Sequence, residues 1–186
     1  WYKTGLLPIA AKDMNAAKTM NTHLHVLEAY TNLFRVWKDS ALRESLASLL
    51  DVMTDRVVDG ETHSFTLFFD MGWNPLSRVA SYGHDIEGSW LLWEAAEVLG
   101  DPARIGKVRE VSLAMARQVL ERGVDGENGG VFNEQEPGRP PEADKVWWVQ
   151  AEAAVGFFNA WQLTGEQAFL QASAAAWEFI RRHVVD

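Results

Sequence analysis

The stretch HDIEGSWLLWEAAEVLGDPARIGKVREVSLAMARQVLER, residues 84–122, decides the fold. Apolar residues recur in it at helical spacing on both sides of a short polar turn, Gly100-Asp101-Pro102. Glycine followed by aspartate and proline is typical of the end of one helix and the start of the next, so we predict helices over 84–99 and 103–122. A connection this short makes the two helices an antiparallel hairpin.

The same design occurs twice more along the chain. Helical spacing covers residues 19–37 and 40–58, joined at Lys38-Asp39-Ser40, and residues 145–163 and 166–183, joined at Gly165-Glu166. Three hairpins at a period of about 60 to 65 residues form a helical repeat. They predict an all-α fold, either half of an (α/α) toroid of six hairpins or an open solenoid, in one domain over residues 1–186.

Two long connections separate the hairpins. Residues 59–82 contain an alternating stretch, 62–70, which predicts a short β-hairpin or extended ribbon. Residues 123–144 are rich in glycine, proline and glutamate. A plain connection needs only a few residues, so loops of this length are expected to serve the function.

Composition excludes several classes of partner. The 186 residues carry a formal net charge of -9, so no nucleic acid and no anionic membrane is expected as a partner. No apolar run is long enough to span a membrane, and the absence of cysteine fits a reducing compartment, so we expect a cytoplasmic protein. The start at Trp1, without an initiator methionine or a signal-peptide pattern, suggests a piece of a longer protein.

A first polar constellation opens the first predicted helix. Asn21, His25 and Glu28 lie on one helical face, whereas His23 points elsewhere. The two histidines therefore make a poor metal site, and no metal is predicted. We expect His23 to be a hydrogen-bonded structural residue, while His25 fits either a buried polar network or an active site.

A second constellation lies at the start of the third predicted helix. His84 and Glu87 share a face, and a carboxylate beside an imidazole is expected to orient the ring and raise its pKa, as a general base requires. Gly83 allows close approach, and Trp90 offers a flat face on which a sugar can stack. The alternative is that Asp85 and Glu87 only suit the positive end of a helix dipole.

A third constellation, Trp148 and Glu152, lies at the start of the fifth predicted helix. An indole and a carboxylate four residues apart suit a sugar, which stacks on one and hydrogen-bonds to the other, although a tryptophan of the core beside an exposed glutamate has the same spacing. All three constellations occupy the first helix of a hairpin at its beginning, and in a toroid those positions converge. His63 and His183 are expected to be structural, and no GxGxxG, Walker or HExxH motif is present.

At these residues the chain resembles the N-acylglucosamine 2-epimerase superfamily, and within it the cellobiose 2-epimerases. The strings that carry the resemblance are residues 20–30, MNTHLHVLEAY, residues 82–87, YGHDIE, and residues 147–152, WWVQAE. The Gly-His-x-x-Glu core is shared across the superfamily, and Asp85-Ile86 between its two ends points to the cellobiose branch. The likeness extends over essentially the whole chain.

The resemblance implies an (α/α)6 barrel and a reaction that uses no cofactor. A disaccharide substrate opens to its aldehyde, one histidine removes the proton at C2, and another returns it to the opposite face of a cis-enediolate. By this analogy His84 is an acid/base histidine, and Glu87 and His25 bind and polarise the region of O1 and O2. The residues that hold the sugar are Asn21, Trp90, Trp148 and Glu152.

The sequence departs from the family pattern in two ways. It lacks the arginine and aromatic residues of the family's first repeats, and the partner histidine in a Pro-Tyr-His-like string, so weak or no activity is expected of this chain alone. Two alternatives stay open: an (α/α) glycoside hydrolase that pairs Asp85 or Glu87 with Glu152, and a carbohydrate-binding scaffold without catalysis. The preferred sugar is open, as is a homo-oligomer through the apolar edge of a half ring.

Overall fold

The structure, a computed structural model, describes residues 16–185. The predicted domain extends over residues 1–15 and 186, which lie outside the described residues. Over the part described, the chain forms six α-helices. They are α1 (Met20–Val36), α2 (Ser40–Val52), α3 (Tyr82–Leu99), α4 (Pro102–Arg122), α5 (Trp147–Thr164) and α6 (Gln167–His183). The all-α prediction is confirmed.

Local capping chemistry makes the three short turns. Gly100 and Gly165 end α3 and α5 in the left-handed conformation, with φ of 63° and 75°, which glycine adopts without steric cost. The Asp101 carboxylate caps α4 by accepting a hydrogen bond from the Ala103 amide at 3.0 Å, and Asp39 caps α2 in the same way. These signals act within a few residues, so the sequence alone predicts the hairpins.

The helices form an inner and an outer set. The inner helix α3 contacts both α1 and α5, and each inner helix also packs against the outer helix of its own hairpin. Burial reflects this arrangement, since α3 buries side chains around much of its circumference, whereas α6 buries only a narrow stripe, Phe169, Ser173 and Ala176. The order of the hairpins therefore brings the beginnings of α1, α3 and α5 next to one another.

Two groups of buried side chains form the core. One lies between α1, α2, α3 and the first long loop and includes Leu24, Leu46 and Phe65. The other lies between α3, α4, α5 and α6 and includes Ile86, Phe157 and Phe169. Because α3 contributes to both groups, its side chains hold the hairpins together.

Four short strands connect the long loops to the inner helices. Strand β2 (Phe68–Phe69) pairs antiparallel with β1 (Lys18–Thr19), just before α1, and β4 (Glu134–Gln135) pairs antiparallel with β3 (Ala80–Ser81), just before α3. The predicted ribbon over 62–70 is divided: its first residues form the turn and second arm of a hairpin in which Val58 bridges to Phe65, whereas strand β2 pairs with the segment before α1. Alternation along the sequence does not identify the partner of a strand, since that partner is more than forty positions away.

One predicted helix ends early. Residues 40–58 were expected to form one helix, but α2 ends at Val52 and a π-helical turn, Met53–Val57, follows it. The Val58 amide bonds to the Met53 carbonyl at 2.9 Å, and Val58 then forms a β-bridge with Phe65. The wider turn thus releases the chain from the helix into the first long loop. Within residues 16–185, no helix is long and apolar enough to cross a membrane.

Candidate functional site

Titratable side chains from three inner helices gather where those helices begin. His84 and Glu87 of α3 sense the charge of His25 on α1, and Glu87 also senses that of Glu152 on α5. Glu28 of α1 acts on both glutamates. The three constellations predicted separately from sequence therefore form one cluster.

His84 is largely buried and has a defined partner. Its Nδ1 lies 2.8 Å from Oγ of Ser81, the residue that precedes α3. The pKa of His84 is lowered to about 4, mainly by burial and also by the nearby His25. The expectation that Glu87 would raise this pKa is wrong, because removal from water dominates over any attraction to a carboxylate. The imidazole is neutral at pH 7.

Glu87 has the opposite shift. The pKa of Glu87 is raised to about 7, mainly by burial and also by the neighbouring Glu152 carboxylate, while His25 acts against both. His25 itself is half exposed, and its Nδ1 lies 3.2 Å from Oε2 of Glu28. A carboxyl group with a pKa near 7 can both give and accept a proton at neutral pH.

Trp90 and Glu152 join α3 to α5. The indole Nε1 of Trp90 donates a hydrogen bond of 2.8 Å to Oε2 of Glu152. Burial raises the pKa of Glu152, and the Trp90 hydrogen bond works against that rise. This hydrogen bond fixes the position of a carboxylate beside Glu87.

Trp148 lies against His84. Their ring centroids are 5.0 Å apart, at an angle of 57°. The contact depends on Gly83, since a β-carbon there would come within 2.6 Å of Trp148 Cη2 and Val149 Cγ2. The predicted role of Gly83 as a point of close approach therefore has a specific partner, the Trp148 ring.

Asp85 points away from the cluster. Its side chain is fully buried, and Oδ1 accepts a hydrogen bond of 2.7 Å from the Phe65 amide in the first long loop. Asp85 is therefore excluded as a carboxylate of the cluster, which removes one of the two pairs considered for a hydrolase. Burial raises the pKa of Asp85 to about 7, while the Phe65 amide and the Ser64 hydroxyl act to lower it.

The other polar residues singled out in the sequence have varied surroundings. Asn21 is exposed on the first turn of α1. His23 has its Nδ1 2.7 Å from the Thr19 carbonyl, so its prediction as a hydrogen-bonded residue is confirmed. His63 has a left-handed backbone with φ of 56°, and the ring of His183 packs on Phe179 near the end of α6.

Two residues of the cluster were not predicted as site residues from the sequence, Ser81 and Glu28. Ser81 is fully buried, and its hydroxyl bonds to His84 instead of capping α3. A serine three residues before a histidine at a helix start is the signal that could have identified it. Glu28 was placed on the face of His25 but was left out of the predicted site.

The cavity of greatest volume among those described here lies away from the predicted site residues. A cavity of about 750 Å³ lies between the two long loops and the end of α4, and none of the predicted site residues lines it. Trp90 lines a smaller cavity of about 370 Å³ with residues of α5 and α6. We place the candidate site at the beginnings of the inner helices, because coupled charges and shifted pKa values meet there. In residues 16–185 no cluster of three or more histidine, aspartate or glutamate side chains is arranged to hold a metal.

Comparison with curated proteins identifies relatives along the whole chain. The chain is 43% identical over 186 residues to the cellobiose 2-epimerase of Bacteroides fragilis, and the match covers 100% of this chain and 47% of that protein. The chain thus spans about half the length of the curated relatives it matches.

Solved structures have the same arrangement of helices. The cellobiose 2-epimerase from Bacillus thermoamylovorans B4167 superposes with a TM-score of 0.87 at 40% identity, over 92% of this chain and 43% of that one. A sugar epimerase from a ruminal bacterium superposes with a TM-score of 0.90 at 35% identity, over 97% of this chain and 46% of that one. The prediction of three hairpins forming half of an (α/α)6 barrel is confirmed.

The family profile gives the same result. The profile described as N-acylglucosamine 2-epimerase (GlcNAc 2-epimerase) matches residues 5–186, nearly the full sequence. The resemblance noted at three short strings therefore extends along the hairpins between them. The chain belongs to the N-acylglucosamine 2-epimerase family.

Proposed function

We propose that the protein containing this chain epimerises C2 of the reducing-end glucose of cellobiose or of a related β-1,4-disaccharide. The observation that carries the proposal is the cluster of His84, Glu87 and Glu152, whose pKa values are shifted where the inner helices begin. Relatives named cellobiose 2-epimerase that align over the whole chain support the same reaction.

His84 removes the proton from C2 of the opened sugar. The electron pair of the C2–H bond forms a C1–C2 double bond, and the aldehyde oxygen becomes the oxyanion of a cis-enediolate. A proton returned to the opposite face of C2 then gives the mannose configuration. The His84 imidazole is neutral at pH 7 and therefore able to accept a proton, and Ser81 engages Nδ1, which leaves Nε2 for the sugar.

Glu87 and His25 act on the two oxygens. A Glu87 carboxyl group with a pKa of about 7 donates a hydrogen bond to the enediolate when protonated and accepts one from a sugar hydroxyl when ionised. His25, oriented by Glu28, binds and polarises the same region. Both groups therefore stabilise negative charge that develops at O1 and O2.

The remaining predicted residues hold the sugar. Trp90 and Trp148 present indole faces beside the acid/base groups, and Glu152, fixed by Trp90, accepts hydrogen bonds from hydroxyl groups. Asn21, exposed on the first turn of α1, supports the sugar from the other side. The reaction as proposed uses no cofactor.

The second acid/base histidine is the group that this sequence does not supply. The resemblance assigns it to a Pro-Tyr-His-like string, and no such string occurs among the 186 residues. We therefore propose that the chain by itself is weakly active or inactive, and that activity belongs to a complete protein with both histidines.

The experiment is proton NMR of cellobiose in D2O with the complete protein. The expected result is deuterium at C2 of the reducing sugar together with glucosyl-mannose, both lost in His84→Ala and retained in the matched control His183→Ala, whose ring lies near the end of α6. A complete protein that leaves C2 unlabelled and cellobiose intact would overturn the proposal and leave a carbohydrate-binding scaffold.

A glycoside hydrolase is the second candidate, because burial raises the pKa of both Glu87 and Glu152, and the Glu152 carboxylate adds to the rise at Glu87. Hydrolysis by paired carboxyl groups requires one protonated and one ionised group. The same NMR experiment separates the two functions. Free glucose, formed equally well by the His84→Ala variant, would establish the hydrolase.

A further inference from the structure

Two hairpins in the long loops are copies of one another. The sequence Val-Asp-Gly-Glu occurs at residues 58–61 and again at residues 124–127. In the first copy Asp59 Oδ1 accepts hydrogen bonds from the amides two and three residues ahead, at 2.9 and 2.8 Å, and in the second Asp125 Oδ1 does the same at 3.0 and 3.0 Å. The first hairpin comprises residues 57–66 and the second residues 123–132.

The backbones of the first and second hairpins also agree. The Asp59 amide bonds to the Ser64 carbonyl at 2.9 Å, and the Asp125 amide bonds to the Gly130 carbonyl at the same distance. Bridges join Val58 to Phe65 and Val124 to Val131. The two hairpins are therefore equivalent parts of successive repeats.

Each hairpin is attached to the next inner helix by one buried side chain. The Phe65 amide donates to Oδ1 of Asp85 at 2.7 Å, and the Val131 amide donates to Oε1 of Gln150, also at 2.7 Å. Asp85 and Gln150 are each the fourth residue of their helix, and both have an exposed fraction of 0%. The attachments are thus equivalent in position, partner and burial.

The attachments differ in their second polar atom. Gln150 Nε2 donates a hydrogen bond of 2.8 Å to the Val131 carbonyl. The second oxygen of Asp85, Oδ2, is buried and makes no hydrogen bond within the described part of the chain. The buried Ser64 hydroxyl makes none either, but it is near enough to act on Asp85 and lower its pKa. An ionised carboxylate has no proton to donate, and its charge is costly to bury without a cation even with the Phe65 amide and the Ser64 hydroxyl beside it. A protonated carboxyl has the donor that glutamine has.

We propose that Asp85 and Gln150 are equivalent positioning residues, and that Asp85 holds the first hairpin as a neutral carboxyl group in place of an amide. Asp85 lies in the same turn of α3 as His84 and Glu87, so attachment of the first hairpin fixes the turn that carries both. That consequence for catalysis rests on the proposed function, whereas the attachment itself does not.

The surroundings favour the neutral form. The pKa of Asp85 is raised to about 7, because burial outweighs the hydrogen bonds from the Phe65 amide and the Ser64 hydroxyl, which lower it, and no cation is among the causes of the shift. The titratable group that senses Asp85 is the Tyr82 phenol, whose pKa is raised by burial and, to a smaller extent, by Asp85, with Arg122 acting against both. Since the folded pKa lies above the unfolded value, the attachment weakens as the pH rises through 7.

Hydrogen exchange of the complete protein, read by mass spectrometry, tests the proposal. In Asp85→Ala, residues 60–68 are expected to lose protection while residues 126–134 keep it, and Gln150→Ala should give the reverse. Asp85→Asn keeps the first hairpin protected at both pH 6 and pH 8. The unaltered protein should lose protection at residues 60–68 between these pH values, after correction for the intrinsic rate.

Two outcomes would overturn the proposal, and neither requires activity. One is loss of protection at residues 60–68 in Asp85→Asn to the extent seen in Asp85→Ala, and the other is the same pH response in Asp85→Asn as in the unaltered protein. If Asp85→Ala does not fold, the comparison of the unaltered protein with Asp85→Asn still tests the proposal. An inactive protein with the expected exchange pattern would refute the epimerase alone.

Discussion

Ser81 Oγ and His84 Nδ1 lie 2.8 Å apart, so the residue that precedes α3 sets the orientation of the histidine in the first turn of that helix. For Nε2 to take up a proton, Nδ1 must carry the hydrogen and donate it to the serine hydroxyl. Ser81 is fully buried, and water cannot readily replace it. The contact therefore orients the neutral imidazole, and in the tautomer that serves as base the Nδ1–H group donates to the hydroxyl.

Replacing Ser81 by alanine should lower kcat for deuterium incorporation at C2 by about fivefold to tenfold, since one buried hydrogen bond contributes about 1 kcal/mol. KM should change little because the hydroxyl does not face the sugar. The control is Ser45→Ala, which removes a hydroxyl bonded only to the Ala41 carbonyl on the exposed side of α2. Unchanged kcat in Ser81→Ala would show that this contact does not position His84 for proton transfer.

The rate should depend on pH through Glu87. If the protonated carboxyl assists the enediolate, kcat/KM falls as the pH rises through about 7, the pKa to which burial and Glu152 raise Glu87. His84 must be neutral, so the acidic limb lies near pH 4. The pH profile of the complete protein between pH 4 and 9 measures both limbs.

Glu87→Gln identifies the group responsible for the alkaline limb. Glutamine keeps a hydrogen-bond donor but cannot exchange a proton, so activity should fall by about 100-fold and the alkaline limb should disappear. Glu97→Gln on the exposed end of the same helix is the control. An alkaline limb that persists in Glu87→Gln would assign it to another group.

A β-carbon at Gly83 should separate Trp148 from His84. Gly83→Ala places an atom within 2.6 Å of the Trp148 ring, and overpacking of this kind costs about 1–3 kcal/mol of stability. Thermal unfolding and the tryptophan fluorescence spectrum measure the two effects.

Gly106→Ala is the matched change in a helix with open space around it. Alanine there should make the protein more stable by about 0.5–1 kcal/mol, because glycine is a poor helix former. If both variants unfold at the same temperature, the close contact at Gly83 does not constrain the fold.

His63 has the left-handed backbone that Gly129 has in the second hairpin, with φ of 56° and 78°. Residues with a β-carbon pay about 1–2 kcal/mol for this conformation. His63→Gly removes this cost but also makes the unfolded chain more flexible, which partly offsets the gain. The free energy of unfolding should therefore rise by about 0.5 kcal/mol. His63→Ala keeps the β-carbon and should not raise the free energy of unfolding. Equal stability of the two variants would contradict the idea that the β-carbon strains this backbone.

Part of the candidate site could be predicted from spacing alone. His84 and Glu87 share one turn of α3, and helical periodicity places them together whatever packs around them. Their protonation could not be predicted, because it depends on burial and on groups from other helices. The sequence suggested a raised pKa for His84, whereas packing lowers it to about 4.

What the sequence by itself determined is the set of helical hairpins. Gly100, Asp101 and Pro102 act on backbone groups within one turn, so their effect requires no distant residue. What only the tertiary structure decided is which of two acidic neighbours belongs to the site. Asp85 turns to the Phe65 amide, whereas Glu87 lies beside Glu152, and both partners come from segments far away in the sequence. Burial and long-range hydrogen bonds exist only once the hairpins pack together.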